Sequence, residues 1–288
     1  MEEHKFRYKF RIILALLLLS LLGFGSYWFD RWQRQVIFLP TSKFVGSPRD
    51  RNLQFKAIER TSPQNTSGFV GRVQGWWVPQ TDPEAASVLF LHGNADTMST
   101  KLDFIEYLYQ LGFSVFAIDY RGYGASTQTL PDETSVYADA ETAWDEMLKL
   151  SPHAGQRIIY GHSLGGAIAI DLASKAKQVD ALVVEGTFSS LKDLIAETKF
   201  GWLPLNVVLT QRFASDEKIR NLKMPKLFIH CSGDTVVKPK FGQKLFEQSA
   251  EPKTKLIIEK GTHNACFRAG GLPLRDALRS FGSRVLKQ

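Results

Sequence analysis

From Ser87 onward, short and nearly continuous apolar runs alternate with amphipathic stretches of helical length. The runs at 87–91, 114–118, 157–160, 181–184, 226–229 and 255–258 read as strands, and 101–111, 135–150, 164–175, 243–249 and 274–284 read as helices. Strands without a polar face must be covered on both sides, and a helix between each pair supplies that cover. Two earlier segments, 53–58 and 71–78, read as an antiparallel hairpin at a sheet edge. The expected class is therefore α/β, with a mostly parallel central sheet and helices on both faces. In such a sheet, ligands sit outside the carboxyl ends of the strands. The stretch 186–225 breaks the rhythm with Trp202, Pro204 and further apolar residues, and is a candidate small cap over the site.

The N-terminus follows different rules. Residues 12–29 carry no charge, and as a helix they span about 27 Å, close to the hydrocarbon thickness of a bilayer. Tyr27, Trp28, Phe29 and Trp32 stand where an aromatic belt would lie. The net charge is +7, and Lys5, Arg7, Lys9 and Arg11 concentrate basic charge ahead of the apolar run. That flank suits an anionic membrane surface, and no nucleic-acid-binding module is readable. The expected division is a cytosolic flank and membrane anchor at 1–34 and a catalytic domain at 35–288. The basic flank predicts a single pass with the N-terminus cytosolic and the body on the periplasmic, extracellular or lumenal side. The alternative is a signal peptide cleaved to give a secreted product.

Three strand ends carry the chemistry. Gly161-His162-Ser163-Leu164-Gly165 follows one strand and opens a small-residue helix, the context a nucleophilic serine on a tight strand-to-helix turn requires. Leu91-His92-Gly93-Asn94-Ala95 closes another strand, and the backbone N–H groups of Leu164 and Asn94 are the expected oxyanion donors. Asp234 and His263 each follow a strand, which gives the order Ser, Asp, His. In that arrangement His263 takes the proton of Ser163 and Asp234 orients its ring. Glu185 is the runner-up acid, His92 and Asp119 read as structural, and Asp234 also stands where a turn residue or helix cap would. No dinucleotide, nucleotide or metal motif is present, so no cofactor and no metal are expected.

These pieces resemble the bud-emergence-protein-like branch of the α/β hydrolases, related to membrane-associated α/β-hydrolase-domain lipases and depalmitoylases. The matching stretches are LHGNA at 91–95, DYRGYG at 119–124, GHSLGG at 161–166, the SGD ending at Asp234 and the GTHN ending at Asn264. Cys231 and Asp96 stand where that pattern usually has glycine. The resemblance implies the α/β-hydrolase fold and a serine hydrolase of esters or thioesters of small-molecule or lipid-like acids. A peptidase or acyltransferase on the same triad, or a non-catalytic scaffold, are the alternatives, and the oligomeric state stays open. Cys231 and Cys266 flank the acid and base loops, and are either disulfide-bonded or small buried hydrophobes.

Overall fold

The computed structural model describes residues 2–63, 68 and 70–284. Eight strands form one sheet: β1 (Lys56–Ser62), β2 (Gly71–Val78), β3 (Ser87–Leu91), β4 (Ser114–Asp119), β5 (Arg157–His162), β6 (Ala181–Glu185), β7 (Lys226–Cys231) and β8 (Lys253–Ile258). Their order is β1-β2-β4-β3-β5-β6-β7-β8. β1 and β2 form the expected antiparallel edge hairpin, and the strands from β4 to β8 run parallel. After β3 the chain moves outward to β4, then returns to lay β5 on the other side of β3. The direction of winding reverses there, which opens a crevice at the carboxyl ends of β3 and β5.

Side chains alternate across the sheet as a pleated strand demands. Leu89 and Leu91 of β3 pack on one face, with Trp144 of α3 (Glu133–Leu150), Ile168 of α4 (Leu164–Lys175) and Leu245 of α8 (Pro239–Gln248). Val88 and Phe90 pack on the other, with Phe104 and Leu108 of α2 (Leu102–Gln110) and Leu274 and Leu278 of α9 (Cys266–Arg284). Within the irregular stretch 186–225 lie three short helices, α5 (Leu191–Ala196), α6 (Leu205–Val208) and α7 (Ser215–Ile219). The fold is thus the expected one, an α/β-hydrolase architecture with a mostly parallel sheet.

Several elements differ from expectation in extent, among them α8, which starts at Pro239 rather than at 243, and β8, which starts at Lys253 rather than at 255. β1 starts at Lys56, because Leu53 and Phe55 pack beside the core as partly buried satellites. α9 starts at Cys266 and carries a kink at Gly271, where φ is 45°. The first helix, α1 (Glu2–Phe38), runs unbroken through the expected boundary at 34/35. It stops where Leu39 turns to φ 45° ahead of Pro40, which disfavours helix at the residue before it.

α1 is long and apolar enough over Phe6–Phe38 to cross a membrane. Its apolar run is exposed, whereas its last turns are docked on the body. Gln33 Nε2 donates to the Val208 carbonyl at 2.9 Å, and its Oε1 accepts from Thr210 N at 3.2 Å. Arg34 Nε donates to the Pro131 carbonyl at 2.8 Å, and Phe38 is fully buried against Phe213.

Candidate active site

β5 ends at His162 and α4 begins at Leu164, so Ser163 alone makes the turn, at φ 56° and ψ −121°. That conformation is strained for a residue with a Cβ, and the surroundings enforce it. A Cβ on Gly161 would lie 2.2 Å from the Gly165 carbonyl oxygen, and one on Gly165 would lie 2.1 Å from the Leu91 oxygen. The turn can therefore close only with glycine on both sides. Ser163 N donates to the Glu185 carbonyl at 2.9 Å, and Thr187 Oγ1 donates to the Ser163 carbonyl at 2.8 Å, which pins the turn to the end of β6.

The structure brings Ser163, His263 and Asp234 into one line. Ser163 Oγ lies 2.8 Å from His263 Nε2, and His263 Nδ1 lies 2.6 Å from Asp234 Oδ2. A ring nitrogen against a carboxylate carries the proton, so Nδ1–H donates to Asp234 and Nε2 is left to accept from the serine. All three side chains are buried. Asp234 divides its oxygens between two tasks. Oδ1 accepts from Val236 N and Val237 N, both at 2.9 Å, while Oδ2 faces the histidine. The turn-residue and triad-acid readings of Asp234 therefore describe two ends of one carboxylate. Burial works to raise its pKa, but hydrogen bonds from His230 and His263 outweigh it and hold the carboxyl well below the usual range.

Leu164 is the first residue of α4, so its N–H has no acceptor within the helix. Asn94 lies in the turn after β3, and β3 and β5 are in register with Leu91 opposite Gly161. A Cβ on Gly93 would stand 3.0 Å from the Ser163 Cβ, which measures how closely the two loops approach. Asn94 Nδ2 donates to the Ile37 carbonyl at 3.1 Å, and Ala95 N donates to the Phe38 carbonyl at 3.3 Å. The last turn of α1 thus braces the loop that carries Asn94, a contact the sequence did not announce.

The other singled-out residues are occupied elsewhere. Glu185 Oε2 accepts from Tyr160 Oη at 2.5 Å, and burial pushes its pKa up against that hydrogen bond. His92 is buried beside Tyr120 and Tyr123, 3.4 Å from Asp119, and Asp119 Oδ1 accepts from Met98 N at 2.7 Å. Asp96 pairs with Lys101 at 2.9 Å, and Lys101 also donates to Asn264 Oδ1 at 3.3 Å. Among the described residues no group of three or more His, Cys, Asp or Glu side chains could hold a metal. Cys231 and Cys266 are disulfide-bonded, with Cα atoms 5.6 Å apart, and the bridge joins the acid loop to the base loop.

Two histidines gain positions the sequence reading missed. His230 Nε2–H donates to the Val237 carbonyl at 2.7 Å and lies 3.4 Å from Asp234 Oδ2. His162 Nε2 lies 3.0 Å from the His263 carbonyl and donates to it, and burial followed by Lys101 pushes its pKa well down. The available signal was that His162 and His230 stand at the carboxyl ends of the two strands that present Ser163 and Asp234, as the last and the penultimate residue.

A family model described as serine aminopeptidase, S33, matches residues 82–215. An uncharacterized protein of Mycobacterium tuberculosis is 34% identical over 212 residues, which cover 73% of this chain and 74% of that one. Protein bem46 of Schizosaccharomyces pombe is 31% identical over 264 residues, covering 87% of this chain and 86% of its own. The esterase Pf2001 of Pyrococcus furiosus superposes with a TM-score of 0.69 at 21% identity, over 85% of this chain and 96% of that one, a likeness of fold. Identity at this level over most of both chains establishes kinship, and the chain belongs to the bem46-like family of α/β-hydrolase-fold serine hydrolases.

Proposed function

We propose that Ser163, His263 and Asp234 are the catalytic triad of a membrane-tethered hydrolase acting on carboxylic esters or thioesters with acyl or lipid-like parts. The unbroken line from Ser163 Oγ through His263 to Asp234, with the serine on a strained strand-to-helix turn, carries the reading. Ser163 Oγ attacks the acyl carbonyl while its proton passes to His263 Nε2. The imidazolium formed is stabilised by Asp234, whose low pKa keeps it ionised. The carbonyl oxygen becomes an oxyanion facing the N–H groups of Leu164 and Asn94, each worth about 3 kcal/mol where the charge develops. His263 then protonates the departing alcohol or thiol, which leaves an acyl-enzyme. Water, deprotonated by His263, attacks that ester, and the acid is released as Ser163 regains its proton.

α1 serves as an uncleaved anchor, with the basic flank cytosolic and the body on the opposite side. The Cys231–Cys266 bond supports that side, since disulfides persist in oxidising compartments.

Reaction with a fluorophosphonate, followed by profiling with p-nitrophenyl esters of increasing chain length beside an acyl thioester and an aminoacyl amide, tests the chemistry. Labelling of Ser163 and turnover of the esters are expected. A protein that neither labels nor turns over any of them is a scaffold, and preference for the amide makes it a peptidase, which the serine aminopeptidase description of the family model also favours. Retention in the membrane after a carbonate wash, with the body digested only by protease added from the non-cytosolic side, tests the topology. A mature N-terminus near Tyr27 overturns the anchor.

A further inference from the structure

α1 and the cap enclose an apolar groove of about 400 Å³. Phe29, Trp32 and Val36 of α1 form one wall, and Phe200, Leu203 and Val208 of the cap segment form the other. This volume falls within the range of roughly 300–1,000 Å³ typical of small-molecule sites. We propose that the groove holds the acyl chain of a bilayer lipid ester and feeds its carbonyl to Ser163 from the membrane side. The proposal rests on the hydrolase reading above and adds where the acyl chain lies and from which phase it enters.

Three observations commit the groove to this occupant. First, one wall is the direct continuation of a helix able to cross a membrane, with no linker between them. Tyr27, Trp28 and Trp32 on that helix are exposed aromatics of the kind that settle at the headgroup level, so the groove opens at that level. Second, the cap turns Trp202 and Val207 outward at 79% and 82% exposure, and Phe200 meets Trp32 edge to face at 6.4 Å. Such apolar projections are costly in water and favourable in the acyl boundary of a bilayer. Lys199, with its Nζ 5.2 Å from the Phe200 ring, adds a cation at the mouth, where lipid phosphates or carboxylates gather. Third, Ile37 lines the groove and its carbonyl accepts from Asn94 Nδ2 at 3.1 Å. The groove and the loop that carries a proposed oxyanion donor thus share Ile37 as a common wall residue, and the carboxyl end of a chain lying in the groove would point toward that loop.

The test uses the full-length protein in phosphatidylcholine vesicles, with p-nitrophenyl butyrate in the aqueous phase and p-nitrophenyl palmitate in the bilayer. Val208→Trp, which fills the groove, and Phe200→Glu, which charges it, should each lower the palmitate-to-butyrate ratio of kcat/KM by about tenfold or more. An unchanged ratio in a variant that melts like wild type overturns the groove while leaving the hydrolase reading standing. Turnover of neither ester by wild type overturns the hydrolase reading and this inference with it. A palmitoyl ester carrying a mid-chain diazirine, photolysed with the Ser163→Ala protein in the same vesicles, gives an answer independent of turnover. Adducts on peptides 29–37 and 195–209 are expected. Adducts confined to 12–26, or only protein dimers crosslinked through the groove, would refute it.

Discussion

The turn around Ser163 and the junction between α1 and the 186–225 segment are held by different physics. At the turn, backbone meets backbone: Gly161 and Gly165 leave no room for a Cβ, and Ser163 is forced to φ 56° by atoms within a few residues of it or on the neighbouring strand. At the junction, side chains reach across long sequence separations. Gln33 grips Val208, and Arg34 grips Pro131 and Leu130. Around these hooks the surface is apolar and open. The turn is thus rigid and specified locally, whereas the junction is adjustable and specified only by the assembled fold.

The largest expected effect lies at the turn. Ser163→Ala should lower kcat for a water-soluble ester by about three orders of magnitude or more, and His263→Ala by a similar factor, because the members of a triad act as a unit. Both variants should keep the wild-type melting profile. Turnover above about a tenth of wild type in either would sink the triad assignment.

Truncation asks where the exposed apolar helix ends and the body begins. Removing residues 1–30 takes away the exposed apolar run and should release a soluble, folded and active domain. Removing 1–38 also takes away Gln33 and the fully buried Phe38. It further removes the carbonyl of Phe38, which accepts from Ala95 N and Tyr123 Oη, and that of Ile37, which accepts from Asn94. Emptying a site the size of a phenylalanine costs about 3–5 kcal/mol. The longer deletion should therefore melt at least 5 °C lower, or fail to fold, and a 1–38 deletion as stable and active as the 1–30 deletion would show that the last turns of α1 brace nothing.

The disulfide belongs to the rigid side of the comparison. It closes a segment of sequence separation 35 and staples the loop of Asp234 to that of His263. Cys231→Ser should cost about 2–4 kcal/mol in a urea melt, with turnover falling as the two loops loosen. If Cys231 and Cys266 are both alkylated in protein isolated without reductant, the bridge is absent and this cost disappears.

Sequence made the rim legible because its signals are short-ranged. A G-x-S-x-G between a strand and a small-residue helix, and polar residues after successive apolar runs, are readable within windows of ten residues or so. The pairing of Glu185 with Tyr160 was not readable, because the two side chains are brought onto one face of neighbouring strands only once the register is set. β1 was misjudged for a related reason. KAIERTS has an edge-strand pattern with mostly exposed side chains, while the more apolar LQF just before it packs without joining the sheet. The end of α1 was hidden by Val36-Ile37-Phe38, an apolar triplet with strand-like composition that stays helical as far as Phe38, which finds its pocket beside Phe213. Gln33 and Val208 are 175 residues apart, and no periodicity links them.

Gln33→Ala gives the smallest expected effect and the sharpest probe of that junction. The side chain is 4% exposed and satisfies both of its ends, donating to the Val208 carbonyl and accepting from Thr210 N. Its loss leaves the Val208 carbonyl and the Thr210 amide without their partner. Each net hydrogen bond is worth about 0.5–1.5 kcal/mol, so the global melt should shift by only a few degrees. The local consequence should exceed the global one. The segment around the end of α6 would lose its hold on α1, and amide exchange at 205–211 should quicken while exchange in β5 and α4 stays as in wild type. Equal acceleration in both regions would mean that junction and turn form one cooperative unit, and the contrast between a rigid rim and an adjustable mouth would fall.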